Sequence, residues 1–151
     1  PKNAADYKKN AAAYEAELME LHTWVAEQVN TIPKDSRILV TAHDAFRYFG
    51  KAYDFKVLGI QGLSTESEAG VNKINQLVEV IVSNKIKAVF VESTVSEKNM
   101  KSLIEGCESR NHKVVIGGSL YSDAMGATGS DSGTYPGMIR HNINTIVGAL
   151  K

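Results

Sequence analysis

Two short polar segments, each directly after a run of β-forming residues, carry the side chains best suited to chemistry in this sequence. Residues 41–46 contain His43, and residues 119–126 contain Asp123. Open α/β sheets bind their ligands at the carboxyl ends of strands, so both side chains are expected at a binding edge. Imidazole with carboxylate suits Zn²⁺, Mn²⁺ or Fe²⁺, and the lack of a nearby thiolate argues against Cu⁺. The pattern predicts half of a zinc-type coordination sphere.

Each candidate also has a plainer interpretation. A lone histidine such as His43 is more often a surface or capping residue, and a loop aspartate such as Asp123 more often caps a turn. Glu92, at the end of the third predicted strand, fits a metal ligand, an acceptor that fixes a histidine tautomer, or a helix-start carboxylate, which we favour over ligation. If the first and fourth strands share one sheet, His43 and Asp123 share an edge, which favours the metal interpretation.

The other histidines, the cysteine and the glycine-rich segment do not indicate a functional site. His22, His112 and His141 have no second ligand at a useful spacing, and Cys107 is predicted to be a small buried hydrophobe within a helix. The glycines of residues 117–133 match neither phosphate-binding pattern, so nucleotide binding is not predicted.

The elements that position these residues follow from periodicity. An amphipathic helix over residues 4–30 ends before Pro33. Strands are then predicted at 37–41, 55–60, 88–91 and 113–116, and helices at 44–53, 66–84, 96–110 and 135–150. Thr41 with Asp44, and Thr65 with Glu68, predict capping boxes at two of these helices. The alternation predicts an α/β fold whose four-stranded, mainly parallel sheet is covered by helices. Residues 117–133 are predicted to be one long irregular loop, which in compact domains is often functional.

Composition narrows the function classes. The 17 basic and 17 acidic residues balance, so no nucleic-acid partner is predicted. No apolar run approaches the ~20 residues of a membrane span. The sequence starts at Pro1 without a secretory signal pattern, which indicates a mature protein or a cut fragment.

Five segments together resemble one family. They are residues 39–49 with the motif Ala-His-Asp-Ala-Phe, residues 61–68, residues 89–93, residues 122–126 with the motif Ser-Asp-Ala-Met-Gly, and residues 138–146. In this order they resemble the TroA-like metal-binding proteins of bacterial ABC importers. The resemblance implies two α/β lobes bridged by a long rigid helix, with the metal held between the lobes.

For this chain the resemblance implies that residues 1–32 form the interlobe helix and residues 33–151 the carboxyl-terminal lobe, the amino-terminal lobe being absent. It implies that His43 and Asp123 are metal ligands. The family's other two ligands are histidines of the amino-terminal lobe, so we expect weak or no metal binding by the isolated lobe. An imidazole at His43 favours zinc, with manganese or iron as alternatives.

The implied function is metal capture, not catalysis. The protein would be a periplasmic solute-binding protein or a cell-surface lipoprotein that passes its ion to a membrane permease. The alternative is an interaction or adhesin module with a vestigial metal site, which could self-associate through the apolar stripe of the first helix, including Tyr7, Tyr14, Leu18 and Val25. A metal-dependent hydrolase ranks last because no general base is placed near His43.

Overall fold

Helices and strands alternate along the chain, as the sequence predicts. The computed structural model describes residues 2–63 and 70–151. In chain order the elements are α1 (Ala4–Val29), β1 (Ile38–Thr41), α2 (Arg47–Tyr53), β2 (Lys56–Gly59), α3 (Val71–Ser83), β3 (Ala88–Glu92), α4 (Lys98–Glu108), β4 (Val115–Leu120) and α5 (Tyr135–Leu150), with 3₁₀ turns at Lys34–Ser36 and Asp131–Gly133.

The four strands pair in parallel in the order β2-β1-β3-β4, which confirms the predicted α/β sheet. The chain leaves β1 toward β2 on one side and then returns across the sheet to β3 on the other side. The connections after β1 and β3 therefore diverge. In open α/β sheets the crevice at such a point, at the carboxyl ends of the strands, is where ligands bind.

The two central strands of the sheet, β1 and β3, are buried on both faces. Alternate side chains of one strand point to opposite faces, and Val40 and Val89 lie in one apolar cluster while Leu39 and Phe90 lie in the other. Helices α3 and α4 cover the first cluster, and α1, α2 and α5 cover the second. Strands covered in this way are anchored by the core, so the residues that follow them start from fixed positions.

Helix α2 begins at Arg47, three residues later than predicted. The predicted capping box of Thr41 and Asp44 is wrong, because the Thr41 hydroxyl donates to the carbonyl of His43 at 2.8 Å and Asp44 binds Arg47 instead. The box predicted for Thr65 and Glu68, and the predicted start of the third helix, lie outside the described residues.

Strand β4 extends to Leu120, so the first part of the predicted loop is strand. In the pairing with β3, Val89 is opposite Ile116 but Phe90 is opposite Gly118. Gly117 is therefore the extra residue of a bulge, which keeps the ladder intact beyond two residues that the sequence marks as strand breakers.

Helix α1 packs on the lobe only through its carboxyl-terminal part, where Leu21, Val25 and Val29 are buried. Residues 4–17 are exposed along the whole helix surface. The predicted apolar stripe is thus covered over less than half of its length. Among the described residues, no helix combines the length and the apolar character that crossing a membrane requires.

Candidate metal centre

His43 lies just beyond the end of β1, in the crevice between β1 and β3. The residue is only 2% exposed, although it follows a strand at a loop. Its carbonyl accepts hydrogen bonds from the Thr41 hydroxyl at 2.8 Å and from the Ala45 N–H at 3.1 Å. These bonds turn the chain tightly after the strand and fix the direction in which the imidazole leaves the backbone.

Glu92, the last residue of β3, contacts both the backbone N–H and the ring of His43. Its side chain is fully buried, Oε1 accepts the backbone N–H of His43 at 2.9 Å, and Oε2 lies 2.8 Å from Nδ1 of the same residue, although not in ideal hydrogen-bond alignment. Helix α4 begins only at Lys98. The helix-start interpretation of Glu92 is therefore wrong, and its carboxylate is the acceptor that faces the histidine ring.

Asp123 approaches the opposite side of the same ring. Its Oδ2 lies 3.1 Å from Nε2 of His43, and its side chain is 61% exposed. The two residues are 80 positions apart in the sequence, and the parallel sheet brings them together, as the shared edge predicts. The imidazole is thus held between one buried carboxylate and one exposed carboxylate.

The two residues face an open pocket of about 570 Å³, which Leu63, Lys51 and the Asp44–Arg47 pair also line. The Arg47 Nε donates to Oδ2 of Asp44 at 2.7 Å. This hydrogen bond, together with the negative charge of Asp44, raises the pKa of Arg47. The carboxylate of Asp44, the residue after His43, therefore pairs with the Arg47 guanidinium instead of the His43 ring.

Asn142 is a polar residue of the site region that the sequence argument misses. It lies on α5, is 4% exposed, and contacts the backbone of Tyr121, two residues before Asp123. The signal that could reveal it is a polar residue at a position where the helical periodicity of Met138, Ile143 and Ile146 demands a buried side chain.

The other titratable candidates lie away from this centre. Each remaining histidine contacts a nearby oxygen: His22 Nδ1 the Tyr53 hydroxyl at 2.9 Å, His112 Nε2 the Ile86 carbonyl at 2.7 Å, and His141 Nε2 the Ser119 carbonyl at 3.0 Å. Cys107 is fully buried, as predicted, and burial raises the pKa of its thiol. These residues have structural contacts that account for them.

The chemistry of the centre is that of two convergent donors. Neutral imidazole nitrogen and carboxylate oxygen are ligands of divalent transition metals, and a metal ion could replace the direct contact between Nε2 and Oδ2. No group of three or more His, Cys, Asp or Glu side chains that could hold a metal occurs within residues 2–63 and 70–151. The donor set therefore fits one side of a metal ion.

A parallel α/β lobe with a histidine and a carboxylate converging at its strand switch point defines a ligand-binding class of protein. The family model described as "Zinc-uptake complex component A periplasmic" matches residues 1–149. The chain belongs to this zinc-uptake (ZnuA) family, which confirms the TroA-like resemblance of the sequence.

Individual relatives are similar over the whole chain. It is 53% identical over 151 residues to the "Manganese-binding lipoprotein MntA" of Bacillus subtilis, covering 100% of this chain and 49% of that protein. It is 33% identical to the "Metal ABC transporter substrate-binding lipoprotein SloC" of Streptococcus mutans, covering 99% of this chain and 47% of that one.

A solved structure described as the periplasmic zinc-binding protein TroA of Treponema pallidum superposes with a TM-score of 0.96 at 44% identity. The match covers 99% of this chain and 54% of that structure. The chain thus spans about half the length of the curated relatives that it matches.

Proposed function

We propose that this chain is the metal-capturing carboxyl-terminal lobe of a non-enzymatic, extracytoplasmic solute-binding protein that delivers a divalent transition metal to an ABC permease. The observation that carries the proposal is the 3.1 Å approach of His43 Nε2 to Asp123 Oδ2 at the strand switch point. Family membership supports the transport role, and the lipoprotein and periplasmic names of the relatives support a location outside the cytoplasm.

In this proposal the ligands are Nε2 of His43 and the carboxylate of Asp123. Glu92 is not a ligand. Its carboxylate faces Nδ1 and favours the tautomer that carries the proton there, which leaves the lone pair of Nε2 for the metal. The protein's task at this site is to bind, orient and release the ion, which is its cargo.

The two donors are half of a coordination sphere. Structural zinc is usually four-coordinate, so the isolated chain should bind the ion weakly or not at all. We propose that the other ligands come from an amino-terminal lobe, with residues 1–32 as the interlobe helix and residues 33–151 as the carboxyl-terminal lobe. The length of α1 supports this division, since its 26 residues span about 39 Å and residues 4–17 are exposed.

The ligand types of the centre indicate which ion the protein prefers. Imidazole at His43 favours zinc, while the carboxylate of Asp123 serves zinc, manganese and iron alike. The similar proteins carry both names, one zinc-binding and one manganese-binding. We propose zinc as the first cargo and manganese or iron as alternatives.

The interaction or adhesin module is not favoured by the comparisons, since the relatives are named for metal binding. Self-association through α1 is a separate point. Tyr7 and Tyr14 are exposed and accessible to a second copy of the chain. Val25 of the same stripe is fully buried in the lobe and is not accessible to one.

The proposal is tested by titrating Zn²⁺ and Mn²⁺ into the ¹⁵N-labelled chain and following its amide resonances. We expect weak, saturable Zn²⁺ shifts and Mn²⁺ broadening centred on His43 and Asp123. His43→Ala and Asp123→Ala should remove them. The matched controls His22→Ala and Asp131→Asn, at exposed residues away from the centre, should leave them unchanged.

Calorimetry on the two-lobed protein should then show much tighter binding than the chain alone. Equal and tight binding by both would contradict the half-site. Metal-induced changes that survive in His43→Ala and Asp123→Ala would contradict the ligand assignment.

A further inference from the structure

The loop that carries Asp123 is attached to α5 through one buried amide side chain. The Asn142 Nδ2 donates to the Tyr121 carbonyl at 2.7 Å, and the Asn142 Oδ1 accepts the Tyr121 N–H at 2.9 Å. One side chain thus satisfies both polar groups of one peptide residue. Such a pair of bonds fixes the position and the orientation of the backbone at Tyr121.

The place of this contact matters because the sheet ends there. Leu120 is the last residue of β4, and its carbonyl still accepts the N–H of Ser93 at 3.3 Å. Tyr121 is the next residue, beyond the ladder, and Asp123 follows two positions later. Asn142 supplies for Tyr121 the two hydrogen bonds that a neighbouring strand would otherwise supply.

Asn142 is a buried amide on an otherwise apolar face of α5, and burying an amide costs free energy. Asn142 stands beside the fully buried Ile143 and Ile146, where an aliphatic residue would pack without the cost of desolvating an amide. Its amide oxygen and its amide nitrogen both bond to the backbone of Tyr121. The residue is therefore suited to holding that peptide and not to filling the core.

We propose that Asn142 is a positioning residue of the metal centre, which holds the backbone before Asp123 so that its carboxylate meets Nε2 of His43. The inference rests on the proposed function of Asp123 as a ligand. Asn142 acts through Tyr121 and does not itself touch the ion. Positioning contacts of this kind change metal affinity by about 10- to 100-fold.

The first test is Asn142→Ala in the chain, with two readouts. Hydrogen exchange of the Tyr121 amide should become faster, since the amide loses its acceptor. The Zn²⁺ dissociation constant of the two-lobed protein with the same substitution, measured by calorimetry, should rise about tenfold or more. Asn144→Ala, an exposed asparagine on the same helix, should change neither quantity.

The second test separates positioning from general loosening of the lobe. In the two-lobed protein, where the remaining ligands still bind the ion, combining Asn142→Ala with Asp123→Ala should give the Zn²⁺ affinity of Asp123→Ala alone, because Asn142 acts only through that ligand. Ile143→Val, which weakens packing on the same helix without touching Tyr121, should lower the melting temperature and keep the Zn²⁺ affinity. If Asn142→Ala unfolds the chain, Asn142→Asp, which keeps the acceptor for the Tyr121 N–H, replaces it.

The outcomes distinguish the two proposals. Wild-type Zn²⁺ binding that depends on Asp123 but is unchanged in Asn142→Ala overturns the positioning role alone. An equal loss from Asn142→Ala in the presence and absence of Asp123 also overturns it. A wild-type chain, and a two-lobed protein, that bind without regard to Asp123 overturn the proposed function itself.

Discussion

The buried carboxylate of Glu92 is directed entirely at one residue, His43. Both of its oxygens face His43, one at the backbone N–H and one at the ring, and neither reaches solvent. A buried polar group is costly unless polar contacts compensate for it, so this arrangement ties the conformation of the histidine to the end of β3. The orientation of the imidazole is therefore built into the core of the lobe.

Glu92→Gln replaces one carboxylate oxygen with an amide group while keeping the size of the side chain. Glutamine can accept only one of the two N–H groups of His43 and places an NH₂ group near the other, so the ring loses its fixed orientation. We expect Zn²⁺ affinity in the two-lobed protein to fall by about 10- to 100-fold, measured by calorimetry. Glu97→Gln, at an exposed residue near the start of α4, is the control, and an unchanged affinity in Glu92→Gln would contradict the role of Glu92.

Cys107 provides a prediction of pH dependence. Burial raises the pKa of its thiol, so the folded state keeps the thiol neutral after the unfolded chain has begun to ionise. Stability from this residue is present below the ordinary thiol pKa of about 8.5 and is lost as the pH rises toward the raised value, with a slope of at most ~1.4 kcal/mol per pH unit. Urea unfolding of wild type and Cys107→Ala should show their difference shrinking above pH ~8.5. A difference independent of pH would refute it.

The sequence predicts the two residues that meet at the centre, gives the supporting role of Glu92 only as one of three interpretations, and misses Asn142. His43 and Asp123 follow strands, and strand ends share an edge in a parallel sheet, so local pattern and topology are enough to bring them together. Glu92 also ends a strand, but the direction of its carboxylate depends on the neighbouring strand. Asn142 depends on how closely α5 approaches β4, which is a tertiary distance that no local pattern contains.

At the scale of elements, the approach of α5 to β4 depends on glycine. A Cβ at Gly117 would lie 2.7 Å from the Ala149 Cβ and 2.9 Å from the Phe90 ring, and Gly118 has a φ of +146° and lies against the Thr145 side chain. From the sequence both glycines are assigned to a loop, because glycine destabilises strands. The structure uses them to seat a helix on the strand.

Gly117→Ala should therefore destabilise the lobe by about 1 to 3 kcal/mol through overpacking, measured by urea denaturation. The helix must also move away from β4, so we expect the Tyr121 amide to exchange faster. Gly148→Ala is a matched control on α5, where a new Cβ meets no atom within 4 Å. That variant should be neutral or gain up to about 1 kcal/mol, because alanine is the better helix former. Equal effects of the two substitutions would show that close packing at Gly117 is unimportant.

At the scale of the whole molecule, the strand and helix order was predictable because alternating apolar runs and amphipathic segments specify a parallel α/β lobe. The element ends were less predictable. Helix α2 begins late because the His43 carbonyl accepts the Thr41 hydroxyl and the Ala45 N–H in a tight turn, and β4 continues because a bulge at Gly117 preserves its pairing with β3. Both differences arise from contacts made only in the folded chain.

Helix α1 divides into a packed part and a projecting part, and this division predicts an uneven stability. Deleting residues 2–15 should change the free energy of unfolding by less than about 0.5 kcal/mol, since exposed residues contribute little to stability. Leu21→Ala, at a position 4% exposed, should cost about 2 to 5 kcal/mol. Urea denaturation measures both, and amides of residues 4–17 should exchange much faster than those of residues 21–29. A deletion as costly as Leu21→Ala, with a stability that rises with protein concentration, would show instead that the projecting part of α1 is covered by a second copy of the chain.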